Sequence, residues 1–358
     1  MSRPIDSPPR HLLPRTVAVV GGGAWGTTLS ALASAGGPTR LWAREPEVVD
    51  AVREHHENRL FLPGVVLPAG IDVSSDLDQT VAGADVVVVA VPAQHVRAVV
   101  AEASRSIASG AIVVSVAKGI EANTGLRMTQ VLADVLPSVP RGAIGVLAGP
   151  NLAREVIAGH PSATTVAFAD PDAAAAVQQR LTGPTFRVYT STDVVGCEIG
   201  GAVKNVIAIA AGVAAGLNCG MNTMAALVTR GLAELARLGV AMGGDPLTFL
   251  GLAGNGDLIA TCGSPLSRNH RVGRELAMGW TIEEILAGMT SVAEGVSTAP
   301  VIVDFAQRHH VDMPITETVA ALLEGRIGAR DAITTLMSRQ PTSELRGLVN
   351  APVMDLPT

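Results

Sequence analysis

The chain has 358 residues, with 26 basic and 32 acidic side chains and a net charge of −6. At 48% hydrophobic and 16% charged it is the reverse of a disordered composition, and it carries enough apolar side chain for about two packed domains. The acidic balance excludes general nucleic-acid binding, which needs a basic face, and three scattered cysteines without a CxxC exclude a disulfide framework or a cysteine-built zinc site. Residues 1–15 are Pro- and Arg-rich, with no apolar core of signal-peptide length, and read as a flexible tail. The stretch 202–217 is the longest near-apolar run. It carries Lys204 and Asn205 and is shorter than the roughly 20 residues a bilayer requires, so no membrane span and a cytoplasmic location are expected.

From residue 16 onward, apolar β-branched runs at 16–20, 85–91, 111–116 and 143–147 predict strands, and 39–43 is expected to be the second strand of the nucleotide-binding unit. Helical stretches at 27–35, 95–107 and 126–136 lie among them. The run Val86-Val87-Val88-Val89-Ala90-Val91 never alternates with polar residues, which predicts a strand buried on both faces of a parallel sheet. Further runs at 163–168 and 185–188 extend that sheet. Beyond about residue 190 the strand signals stop and helical spacing takes over, for example at 224–238, 281–287 and 299–309. The expected architecture is an α/β doubly wound domain at 16–192, then an all-α domain at 193–340, with a loose Pro-broken tail at 341–358.

The first strand runs into Gly21-Gly22-Gly23-Ala24-Trp25-Gly26, a GxGxxG turn in strand–turn–helix context. Gly21 suits the tight turn, Gly23 close approach of backbone to a pyrophosphate, and Gly26 packing of helix on strand. Where an acidic residue would bind the 2′-hydroxyl of a ribose, the chain has Arg44, 18 residues beyond Gly26. Arginine suits a 2′-phosphate, so NADP(H) is favoured over NAD(H). Glu45 follows at once and keeps NAD(H) open, as does a merely solvated Arg44.

The segment 198–212 reads as a helix apolar nearly all round, with Lys204 in its middle. A buried ammonium must find partners or give up its proton, which suits proton exchange; the alternative is a lysine snorkelling at the helix margin. Asp257 lies in a Gly-rich turn at a helix start, where capping alone would explain it. Ser267-Arg268-Asn269 opens another helix and reads as a phosphate grip or as an ordinary cap. Lys118 follows one strand and Gly149-Pro150-Asn151 the next, at the strand ends where doubly wound sheets bind ligands. No metal site is visible.

Together these residues resemble bacterial NAD(P)-dependent glycerol-3-phosphate dehydrogenases. The matching stretches are 21–26, Lys118-Gly119, Gly149-Pro150-Asn151, 198–205, Gly256-Asp257-Leu258, Ser267-Arg268-Asn269 and Val292-Ala293-Glu294-Gly295, in family order. The chain departs from the family in Asn255, often apolar there, and in Asn151-Leu152 for a commoner Ser-Phe. The resemblance implies a Rossmann-like domain followed by a helical one, and reversible reduction of dihydroxyacetone phosphate to sn-glycerol 3-phosphate for glycerophospholipid synthesis. It further implies that Lys204 is the catalytic proton donor and acceptor. Lys118, Gly149, Asn151, Lys204, Asp257, Ser267, Arg268 and Asn269 would bind the phosphate substrate. Gly21, Gly23, Ala24, Trp25, Gly26, Arg44, Lys118, Ala153, Arg268, Val292 and Glu294 would bind the dinucleotide. Competing readings are another two-domain hydroxyacid dehydrogenase, or a dinucleotide-binding sensor without catalysis. The Gly- and Ala-rich helices of the second domain offer a face for a homodimer.

Overall fold

The apolar run at 86–91 contains an inner strand whose two faces enter two different cores. A computed structural model describes residues 16–289 and 291–340, so the tails expected at 1–15 and 341–358 lie outside the described residues. Contacts divide the chain between Glu198 and Ile199.

The first unit contains β1 (Val17–Val20), α1 (Ala24–Ser34), β2 (Thr39–Trp42), α2 (Pro46–His55), β3 (Ile71–Ser74), α3 (Leu77–Val81), β4 (Val86–Val89) and α4 (Val96–Glu102). It continues with β5 (Ile112–Ser115), α5 (Met128–Val135), β6 (Ile144–Ala148), α6 (Ala153–Ile157), β7 (Ser162–Ala167), α7 (Pro171–Leu181) and β8 (Phe186–Ser191). The eight strands form one sheet in the order β3-β2-β1-β4-β5-β6-β7-β8. All neighbours are parallel except β6 and β7. Val86 and Val88 point into the core shared with α1, α2 and α7, while Val87 and Val89 point into the one shared with α3, α4 and α5. Burial on both sides is why no polar residue interrupts the strand.

Two local differences from the sequence expectation have simple causes. The helix expected at 95–107 is α4 alone, preceded by a 3₁₀ turn at Ala93–His95. Beyond Glu102 the Ser104 hydroxyl donates to the Ala101 carbonyl, a local bond that competes with helix continuation. The strand β3 was not anticipated: it has four residues at the sheet edge, and only Ile71 and Val73 are apolar and buried.

α8 (Val194–Gly216) crosses the division, and the second unit adds α9 (Met221–Ala241), α10 (Asp257–Gly263), α11 (Arg268–Ala277), α12 (Ile282–Ala287), α13 (Glu294–Arg308), α14 (Pro314–Leu323) and α15 (Ala329–Met337). Its described residues contain no strand. α8 has 23 residues, longer than the apolar stretch read from the sequence, and among the described residues it alone is long and apolar enough to cross a membrane. It is instead the core helix, with Ala202, Val203 and Val206–Ile209 fully buried. Glu234 of α9, also buried, accepts hydrogen bonds from Ile315 N (2.6 Å), Thr316 N (3.1 Å) and Thr316 Oγ1 (3.0 Å) at the start of α14. Burial pushes its carboxyl up to about 7 despite those donors.

Candidate active site

In the first unit the ligand-facing turn is made of main chain. Gly21 has φ +127°, and a Cβ there would lie 2.7 Å from the Ala90 carbonyl oxygen, so neither conformation nor space admits a side chain. Gly23 is the N-cap of α1, with no capping side chain and no acidic residue in the first turn. Asn58, fully buried, holds this turn: its Nδ2 donates to Gly22 O (2.7 Å) and to Thr27 Oγ1 (2.8 Å). Nothing in the surrounding His56-Glu57-Asn58-Arg59 pattern singles it out in the sequence.

The turn fits a dinucleotide pyrophosphate. A Cβ on Gly23 would meet nothing within 4 Å, so the space above it is open, and the first turn of a helix offers N–H donors to an anion. Trp25 follows in that turn, its ring edge-on to Phe186 at 6.3 Å, and its buried Nε1 has no hydrogen-bond partner. Ala24 and Gly26 share this first turn. Arg44, just beyond β2, is 76% exposed, and its guanidinium donates to Glu45 Oε1 through Nε (3.1 Å) and NH2 (2.8 Å). The cation expected to favour a 2′-phosphate is therefore partly answered by its neighbour's carboxylate.

At the ends of β5 and β6, Lys118 Nζ donates to the Gly149 carbonyl (2.8 Å), and Asn151 Nδ2 donates to Thr164 Oγ1 (3.0 Å). Ala153 opens α6, and its carbonyl accepts from Thr28 Oγ1 at 3.4 Å. Glu198 accepts from Thr129 N (2.8 Å), Thr129 Oγ1 (2.7 Å) and Arg127, and burial raises its carboxyl above the ordinary range even with Arg127 beside it. That network joins Glu198 to the start of α5 within the first unit.

The second unit builds with side chains. Lys204 is 4% exposed and does not snorkel: Nζ donates to Asp257 Oδ1 (2.8 Å) and Thr261 Oγ1 (2.6 Å). Asp257 is the first residue of α10, after a π-helical turn at Leu252–Gly256, and Thr261 lies one helical turn later. Thr261 was not foreseen, although the spacing Asp257-x-x-x-Thr261 puts both on one helix face once that face is known to meet Lys204. A buried ammonium that keeps its charge needs a counter-charge, and Asp257 supplies it.

Around Lys204 the helices are joined by amides. Asn269 Nδ2 donates to Asn205 Oδ1 (2.8 Å), and Asn269 Oδ1 accepts from Gly295 N (3.0 Å), linking α8, α11 and α13. Ser267 caps α11, accepting from His270 N at 3.3 Å, while Arg268 beside it is exposed. Glu294 opens α13, and Val292 is exposed just before it. A cavity of about 1030 Å³ in this unit is lined by the later turns of α8 (Ala210, Val213, Ala214) with α9, α14 and α15; none of Lys204, Asp257 or Thr261 lines it. Among the described residues no group of three or more His, Cys, Asp or Glu could hold a metal.

Residues 16–174 match the family described as NAD-dependent glycerol-3-phosphate dehydrogenase N-terminus, and residues 193–334 match the corresponding C-terminus. The chain belongs to the NAD-dependent glycerol-3-phosphate dehydrogenase family. Family members named glycerol-3-phosphate dehydrogenase [NAD(P)+] are 50% identical in Sphingopyxis alaskensis (90% of this chain, 96% of that one) and 50% identical in Geobacter metallireducens (92% and 98%). The crystal structure of a glycerol-3-phosphate dehydrogenase from Coxiella burnetii is 33% identical with a TM-score of 0.86, covering 91% of this chain and 99% of that one. A ketopantoate reductase from Ralstonia eutropha JMP134, 16% identical with a TM-score of 0.52 and covering 89% of this chain and 99% of that one, shares the fold alone. The Rossmann-like domain followed by helices expected from the sequence is the architecture of this family.

Proposed function

We propose that this chain catalyses the reversible reduction of dihydroxyacetone phosphate to sn-glycerol 3-phosphate, in the cytoplasm and for glycerophospholipid synthesis. The observation that carries the reading is the buried Lys204–Asp257–Thr261 group, a lysine with its counter-charge built in, which suits proton exchange. When bound, the dinucleotide supplies hydride to the ketone carbon or accepts it back. Lys204 gives its proton to the oxygen that becomes the alcohol and recovers it in the reverse direction. Asp257 and Thr261 hold Nζ in place, so that little reorganisation is needed at the moment of transfer. Lys118 adds positive charge near the reacting oxygen, and Gly149 and Asn151 line the substrate.

Arg268 grips the substrate phosphate at the start of α11, in a turn shaped by Ser267 and Asn269, so that remote binding energy becomes positioning. The turn Gly21, Gly23, Ala24, Trp25 and Gly26 holds the dinucleotide, with Arg44, Lys118, Ala153, Arg268, Val292 and Glu294 as further contacts. NADPH is favoured over NADH, by a margin that the Arg44–Glu45 pair reduces. A homodimer belongs to the same reading, supported by exposed apolar side chains of the second unit such as Met221 and Met337; sedimentation of the purified chain tests it.

The activity test follows nicotinamide absorbance with dihydroxyacetone phosphate in parallel NADPH and NADH cuvettes. Oxidation that requires the ketone phosphate is expected, faster with NADPH. Tight NADPH binding with no oxidation in either cuvette would leave the dinucleotide fold and remove the substrate.

A further inference from the structure

Thr164 of β7 is fully buried beside the turn after β6, where the antiparallel β6–β7 pairing brings it close. A Cβ on Gly149, which has φ +142°, would lie 3.1 Å from Thr164 Cα. The Thr164 hydroxyl donates to the Ala148 carbonyl (3.0 Å) and accepts from Asn151 Nδ2 (3.0 Å). A carbonyl has no proton to give, so the single hydroxyl proton is committed to Ala148. Asn151 must then present its NH2 to Thr164, which turns the amide oxygen the other way. That oxygen, Asn151 Oδ1, is buried and has no hydrogen-bond partner. An acceptor left unpaired in a protein interior is costly and calls for a donor. Lys118 Nζ already serves the neighbouring carbonyl of Gly149.

We propose that Thr164 is a positioning residue that holds Asn151 Oδ1 as the acceptor for the substrate's free hydroxyl, the one on the carbon that is neither reduced nor phosphorylated. This rests on the reading above that Asn151 lines the substrate. A committed acceptor discriminates against a ligand lacking the hydroxyl, because that ligand leaves the acceptor unpaired. The hydroxyl proton of Thr164 thus sets the direction of an amide, and the amide sets a preference among ketone phosphates.

The test compares kcat/KM for dihydroxyacetone phosphate with that for hydroxyacetone phosphate, which lacks the free hydroxyl. In Thr164→Val the ratio of the two is expected to fall about tenfold, through KM and kcat for the hydroxylated substrate, with KM for the dinucleotide unchanged. Thr164→Ser restores the ratio, and adding Thr164→Val to Asn151→Ala lowers it no further. Equal losses on both ketones would make Thr164 merely structural and overturn the proposal, as would losses that add in the double variant. A raised dinucleotide KM with an unchanged ratio would overturn it too, assigning the acceptor to the nicotinamide amide. If Thr164→Val does not fold, Thr164→Cys, which weakens both hydrogen bonds while keeping the packing, is read in the same way. Asn151→Ala alone must also collapse the ratio; a preserved ratio overturns the inference. Wild-type protein inactive on both ketones would overturn the proposed function itself, and this inference with it.

Discussion

The first unit builds its candidate site largely from main chain, and the second builds its own from buried side chains. Around the Gly21–Gly26 turn the groups that matter are the N–H donors of the first turn of α1, a left-handed glycine and an open space, with Asn58 as a brace. Around Lys204 they are an ammonium, a carboxylate, a hydroxyl and two amides from α8, α10 and α11, all nine-tenths or more buried. A main-chain site tolerates change wherever glycine and turn geometry are kept. A buried charge pair tolerates almost none, because either partner alone is stranded without water.

The largest expected effect breaks this contrast at its centre. Lys204→Ala should lower turnover by about 10²–10⁴-fold while dinucleotide binding, followed by nicotinamide fluorescence, stays near wild type. Near-normal turnover in that variant would sink the proton-transfer assignment. Next, Asp257→Ala leaves the Lys204 charge buried and unpaired, and should cost about 3–5 kcal/mol in denaturant unfolding. Lys204→Ala added to Asp257→Ala should recover part of that loss, since the stranded charge is gone; a purely additive double variant would mean the two do not act as a pair.

A smaller effect is expected in the main-chain site. Gly21→Ala forces a side chain into a left-handed backbone against Ala90 and should cost about 1–3 kcal/mol, with weaker dinucleotide binding by titration calorimetry. Of similar size or less is the pH response of Glu234. Its carboxyl sits at about 7 in the folded chain against an ordinary 4.5, so the folded state holds that proton more tightly than the unfolded state does. Its stabilising contribution is complete below pH about 4.5 and is lost as pH rises through about 7. Unfolding free energy should therefore drop by on the order of 1–3 kcal/mol over that window, and Glu234→Gln should flatten the drop. The smallest effect belongs to the exposed pair: Arg44→Ala should lower the NADPH-to-NADH preference in kcat/KM by less than about tenfold.

Legibility followed the same division. The glycine turn was readable because its chemistry lies within six consecutive residues, and the alternation of strands and helices announced the sheet around it. β3 was not, since four residues with two apolar side chains carry little signal at an edge. Lys204 stood out as the lone charge in an apolar helix, yet its alternative as a snorkelling residue was settled only by its burial. Asp257 was noticed without its partner, and Thr261 and Thr164 were not noticed, because an isolated threonine in a helix or strand has no distinguishing pattern.

What the sequence by itself determined is local: the two-domain order, the nonpolar inner strand, the GxGxxG turn, and a charge where apolar residues surround it. These are written in spacing, and spacing is what secondary structure reads. The tertiary structure decided which distant groups meet. It pairs Lys204 with residues 53 and 57 positions away, joins Asn205 to Asn269 across 64, and turns Asn151 through a threonine on an antiparallel strand. Such pairings depend on how helices and strands pack, and burial then makes each hydrogen bond or charge obligatory, because no water is there to substitute for the missing partner.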